Sequence, residues 1–189
     1  MPQNTCEARN INTFKRFQDM TKILFVCHGN ICRSPMAEFV MKNLVKKAGL
    51  ESRFHIESAA TSTEEIGNPV YPPARRKLEE HGISCAGKTA RRLTRADYDA
   101  FDLLIGMDQA NLRNMHRIIS APSAPFQPAA PRNVACGHAC GDSTGKIHLL
   151  MDYTDRPGDI ADPWFTGDFE TTWRDVLAGC QGLLGQLTP

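Results

Sequence analysis

The chain lacks any apolar run of transmembrane length, a surplus of either charge, and a leader with an apolar core. With 22 basic and 21 acidic residues its formal charge is +1, so nothing directs a field at nucleic acid or a membrane surface. The opening stretch, Met1 to Met20, has no h-region and does not read as a secretory signal. Cysteines number 7, an odd count without a signal, which argues for reduced thiols in the cytoplasm rather than a disulfide framework. There is no internal repeat. What is present, 189 residues of which 41% are hydrophobic, suits one domain with its own core, expected to be a monomer.

Strand and helix signals alternate along the chain. "KILFV" (Lys22 to Val26) reads as a buried strand, and a helix is expected from Ser34, with Pro35 in its first turn and Gly49 as its stop. "RFHIESAAT" reads as a second strand, "PPARRKLEEHG" as a helix with Gly82 at its end, and "FDLLIGM" as a third strand. "DQANLRNMHRI", "KIHLLMD" and "DFETTWRDVLAGCQGLL" follow as helix, strand and helix. Such alternation predicts an α/β fold with a parallel sheet and right-handed crossovers. Residues 1–20 form a polar arm outside this pattern, expected to be disordered or to precede a true start at Met20. Residues 21–189 form the domain, with an Ala/Pro-rich insertion at about 120–145 read as an exposed loop. Its "CGHAC" is too weak a pattern for a metal site, and no metal or other cofactor is expected.

The chemistry concentrates in "FVCHGNICRSPMAE", residues 25–38. Two cysteines five residues apart could be a redox or metal pair, or part of a loop holding an anion against a thiolate. Cys27 and Arg33 make C-x5-R, but so do Cys85 and Arg91, so the bare pattern decides little. Context separates the copies. The first follows a strand, where ligands of open α/β sheets sit, and opens a helix whose positive end favours an anion. Gly29 and Asn30 tolerate the backbone angles of an anion-binding nest. Arg33 offers a planar fork to two phosphate oxygens, and the same positive surroundings favour a Cys27 thiolate aimed at phosphorus. A partner acid should stand on another loop at this sheet edge. Asp162 in "GDIADPWFTGD" is the candidate, beside Trp164 and Phe165, with Asp155, Asp159 and Asp168 as competitors.

"VCHGNICRSPMAE", "IESAATST", "FDLLIGMDQANLR" and "ADPWFTGDFETTW" together resemble the low-molecular-weight protein tyrosine phosphatases, from about Lys22 to Leu184. The resemblance implies a single α/β domain of the phosphotyrosine phosphatase I-like, Rossmann-like kind, with a four-stranded parallel sheet flanked by helices. It implies metal-free hydrolysis of phosphotyrosine in proteins or peptides through a phosphocysteine, with no nucleic-acid or membrane partner. Cys27 would be nucleophile, Arg33 clamp and Asp162 general acid, then base. His28, Gly29, Asn30, Ile31, Cys32 and Ser34 would complete the phosphate loop, with Ser34 donating to the thiolate. Ser58 would brace the loop, and Trp164 and Phe165 would wall the substrate. Glu64 departs from relatives that place an aromatic residue there. Cys32 is expected to form a protective disulfide with Cys27 on oxidation.

Three alternatives stand beside this. Phosphoarginine phosphatases of the same fold carry threonine where this chain has Ile31, whose apolar side chain suits a phenyl ring better. Arsenate reductases of this fold carry resolving cysteines where this chain has "GMDQANL". "GISCAGKT" (Gly82 to Thr89) satisfies a nucleotide-binding G-x4-G-K-[ST], but it follows a helix where that loop must follow a strand.

Overall fold

The computed structural model describes residues 20–120 and 142–188. The N-terminal arm through residue 19 and the Ala/Pro-rich stretch with its CGHAC, residues 121–141, lie outside the described residues. The chain runs β1 (Thr21–Cys27), α1 (Arg33–Lys47), β2 (Phe54–Ala60), α2 (Pro72–Glu80), α3 (Arg95–Ala100), β3 (Leu103–Gly106), α4 (Gln109–Ser120), β4 (Ile147–Leu149), α5 (Pro163–Thr166) and α6 (Phe169–Leu187). All four strands are parallel, in the order β2-β1-β3-β4.

The continuous apolar run of β1 has a direct cause. Ile23 and Phe25 face one side of the sheet, Leu24 and Val26 the other, and both sides are covered. Met36 and Val40 of α1, Leu78 of α2 and Trp173 and Val176 of α6 pack on the first side. Tyr98 of α3 and Met115 and Ile119 of α4 pack on the second.

The expected strands and main helices are present. α1 begins at Arg33, one residue before expectation, with Pro35 in its first turn, and Gly49 beyond its end takes φ 68°. Two short helices escaped the periodicity. α3 has six residues, too few to display a helical period, though Thr94 and Asp97 form a capping box at its start. α5 is one turn, entered through Asp162 and Pro163.

This order places the site. β1 lies between β2 and β3: the chain crosses from β1 out to β2 and then back past β1 to β3, so the winding reverses and a crevice opens at the carboxyl end of β1. Cys27 is the last residue of β1.

Candidate active site

From Cys27 the chain curls through five residues into α1. Asn30 is the one loop residue with a left-handed backbone, φ 58°, which brings its N–H to 3.3 Å from Cys27 Sγ. Ser34 Oγ lies 3.1 Å from the same sulfur. Gly29, expected to share the unusual angles, does not. A Cβ there would stand 3.1 Å from Glu65 Cγ, so the Glu65 side chain passes close over this glycine.

Arg33 is 2% exposed, at the start of α1. Its Nη1 donates to Asp108 Oδ2 at 2.6 Å and the Ile160 carbonyl at 3.0 Å, and its Nη2 donates to Asp162 Oδ2 at 2.5 Å. Burial works against the guanidinium charge, but Cys27, Asp162 and Asp108 outweigh it and hold Arg33 firmly protonated. Asp162 is itself fixed as the N-cap of α5, accepting the Trp164 N–H at 3.1 Å. Its rivals are occupied elsewhere. Asp168 caps α6 by accepting the Thr171 N–H at 2.8 Å, and Asp159 accepts the Gln109 N–H at 3.0 Å. Asp155 is exposed and outside the pocket lining.

Beneath the loop the side chain of Asn30 donates to Ser34 Oγ at 2.9 Å and to Ser58 Oγ at 2.8 Å. Ser58 is fully buried on β2 and donates to Glu38 Oε2 at 2.6 Å. Sequence reasoning named Ser58 but missed Glu38 and Asp108. Asp108 had a usable signal, lying just past β3 at the same sheet edge. Glu38 is four residues beyond Ser34, hence on the same side of α1, but a glutamate inside a helix is ordinarily solvated.

Above Cys27 lies a pocket of about 170 Å³. Ile31, Cys32 and Arg33 contribute to its lining, as do Asp162, Trp164 and Phe165. Trp164 is 53% exposed and Phe165 85%, and the Trp164 ring rests 5.0 Å from that of Tyr71. On the other lip His28 Nε2 meets Glu64 Oε2 at 3.0 Å, so the position of the missing aromatic is polar here. Burial, with the neighbouring Cys27 and Asp162, pushes the Cys32 thiol up. Every sequence-predicted site residue except Ser58 therefore belongs to the pocket or to the sulfur's hydrogen-bond shell; Ser58 supports from below. Among the described residues no group of three or more His, Cys, Asp or Glu could hold a metal ion.

The Gly82–Thr89 segment takes a different course from a nucleotide loop. Gly82 follows the end of α2 at φ 70°, and Lys88 turns inward to Glu38 Oε2 at 2.9 Å.

A parallel α/β domain with a cysteine, a buried arginine and an aspartate around one pocket defines the class of cysteine-dependent phosphatases as the comparison to make. The family described as low molecular weight phosphotyrosine protein phosphatase matches residues 22–124. A protein named low molecular weight protein-tyrosine-phosphatase YfkJ, from Bacillus subtilis, is 35% identical over 170 residues, covering 89% of this chain and 96% of its own. The low molecular weight phosphotyrosine protein phosphatase of Gallus gallus is 35% identical over 169 residues, covering 88% and 95%. The crystal structure of YfkJ superposes with a TM-score of 0.76 at 34% identity, covering 89% of this chain and 95% of that one. A Drosophila arginine phosphatase superposes at 0.73 with 29% identity, covering 89% and 99%. The chain belongs to the low molecular weight protein tyrosine phosphatase family, and it is an enzyme of the hydrolase class.

Proposed function

We propose that the enzyme hydrolyses phosphotyrosine in proteins or peptides through a phosphocysteine on Cys27. The observation carrying this reading is the grouping of Cys27 Sγ, with the Asn30 N–H at 3.3 Å and the Ser34 hydroxyl at 3.1 Å, in one pocket with Arg33 and Asp162. Cys27 thiolate attacks phosphorus while Asp162 gives a proton to the departing phenolic oxygen. Water, deprotonated by Asp162, then attacks the phosphocysteine, and sulfur leaves as a thiolate stabilised by Ser34. Arg33 grips two phosphate oxygens throughout. No cofactor takes part in this scheme. The enzyme works as a monomer in a reducing compartment, without nucleic acid or membrane. The free thiols of Cys27, Cys32, Cys85 and Cys180 fit that setting. On oxidation Cys32 closes a disulfide with Cys27.

The pocket wall supports this choice of substrate class. Ile31 offers burial to a phenyl ring at about 25 cal/mol per Å² and no hydrogen bond to a guanidinium. Trp164 and Phe165 add aromatic surface above it. Phosphotyrosine peptides are therefore expected to react faster than phosphoarginine peptides, with phosphoserine poorest because it is too short to reach the sulfur. Initial rates on the three peptides, repeated with Ile31→Thr, test this. A parent faster on phosphoarginine would overturn the substrate assignment.

A further inference from the structure

α5 is a single turn, and four residues do not hold a helix by their own hydrogen bonds. Its place depends on what it touches. Pro163 is buried, and Asp162 at its start is tied to Arg33. Trp164 is 53% exposed, and its ring leans on that of Tyr71, with centroids 5.0 Å apart and planes tilted by 56°. The two oxygens of Asp162 are divided between these anchors. Oδ2 takes the Arg33 fork, and Oδ1 takes the Trp164 N–H at 3.1 Å. A shift of Trp164 therefore turns the carboxyl.

Tyr71 is itself held from three directions. Its N–H donates to the Ile31 carbonyl at 2.9 Å, which ties its backbone to the phosphate loop. It stands before Pro72 and Pro73 as the N-cap residue of α2, and its ψ of 133° is the extended setting that a following proline favours. Its ring, half-buried, also lies 6.1 Å from that of Phe169, the first residue of α6. The ring thus meets the segment from α5 into α6 at both ends, while the backbone grips the loop around Cys27.

We propose that Tyr71 is a positioning residue for the acid and the aromatic wall together: its ring docks Trp164, and through the Trp164 N–H it aims the Asp162 carboxyl. The inference rests on Asp162 being the acid and Trp164 a wall of the pocket. Tyr71 does not line the pocket, so it acts through Trp164. Its contribution matters most with substrate bound. A phosphate that takes the Arg33 fork removes the hold on Oδ2, and the Trp164 N–H is then the side-chain anchor that remains on Asp162. Proton delivery is sensitive to such aim, because a carboxyl displaced by about 1 Å from its target loses much of its effect.

Leaving-group dependence separates this role from a merely structural one. Tyr71→Ala should lower kcat/KM on a phosphotyrosine peptide by about tenfold, the upper end of what one aromatic pair holds. On p-nitrophenyl phosphate, whose leaving group needs little protonation, the loss should be no more than about threefold. Tyr71→Phe, which keeps the ring, should match the parent. In a Trp164→Ala background Tyr71→Ala should add nothing. A substrate-free readout is acrylamide quenching of tryptophan fluorescence. Trp173, the other tryptophan, is 5% exposed, so the quenching reports mainly Trp164 and should increase in Tyr71→Ala. Equal losses on the two substrates, a Tyr71→Phe as impaired as Tyr71→Ala, or losses that add in full to those of Trp164→Ala would each overturn the proposal. If Tyr71→Ala does not fold, Trp164→Ala breaks the same contact from its exposed side and must itself lose more on the peptide than on p-nitrophenyl phosphate. A failure of the acid assignment shows separately, as equal losses of Asp162→Asn on the two substrates.

Discussion

Arg33 and Asp162, 129 residues apart in sequence, meet in the pocket with Nη2 2.5 Å from Oδ2. The proposed clamp and the proposed acid thus hold each other before substrate arrives. A phosphate in the loop competes for the arginine fork and puts negative charge beside Asp162. The pair is buried enough on the arginine side that neither partner is a loose surface charge.

For Asp162 the expected test is leaving-group dependence. Asp162→Asn should slow hydrolysis of phosphotyrosine by about 10²–10⁴. The loss should be smaller on an activated aryl phosphate, whose leaving group departs without much protonation. Rates of the parent and variant on both substrates check this. Equal losses on the two would remove Asp162 from the acid role.

Cys32 should protect Cys27 from irreversible oxidation. Peroxide converts the Cys27 thiolate to a sulfenic acid, the Cys32 thiol displaces water from it, and a disulfide results. Burial holds Cys32 in its thiol form at rest, so peroxide is expected to oxidise Cys27 first, and Cys32 gives up its proton only as its sulfur attacks the sulfenic sulfur. After peroxide and then dithiothreitol, the parent should recover more activity than Cys32→Ser. Equal recovery would remove the protective role.

Acid should weaken the fold through Glu38. Its carboxyl sits below the ordinary glutamate value of 4.5, so its contribution is present above that pH and is lost as pH falls through the lower, folded value. At neutral pH Glu38→Gln should be less stable than the parent by about 3 kcal/mol, the cost of leaving Lys88 without its buried partner. Urea unfolding should show this difference narrowing as the pH is lowered below 4.5. A difference that stays constant with pH would mean that Glu38 is not the ionised end of the network.

Much of this was readable from residue order alone. The run Ile23 to Val26 announced a strand buried on both faces, and Pro35 and Gly49 marked the ends of the helix carrying Arg33. Cys27, Arg33 and Asp162 could be paired because each follows, or lies on a loop beyond, the carboxyl end of a strand. α3 and α5 were not legible, since six and four residues are too few for a helical period. Gly29 misled because a loop glycine looks the same in sequence whether or not it takes a left-handed backbone angle. Glu38 and Lys88 were hidden for a different reason. Each looks like a surface charge until packing buries the pair against Ser58, and only tertiary structure joins a helix, a strand and a loop at one carboxylate.

The most direct measurement is to quench the enzyme in acid during turnover of a phosphotyrosine peptide and map any phosphoryl group by mass spectrometry. A phosphocysteine pathway predicts one phosphoryl group on the peptide containing Cys27, accumulating further in Asp162→Asn if Asp162 also activates the water, and absent from an inactive Cys27→Ser. Appreciable turnover by Cys27→Ser, or a phosphoryl group on another residue of an active parent, would contradict it.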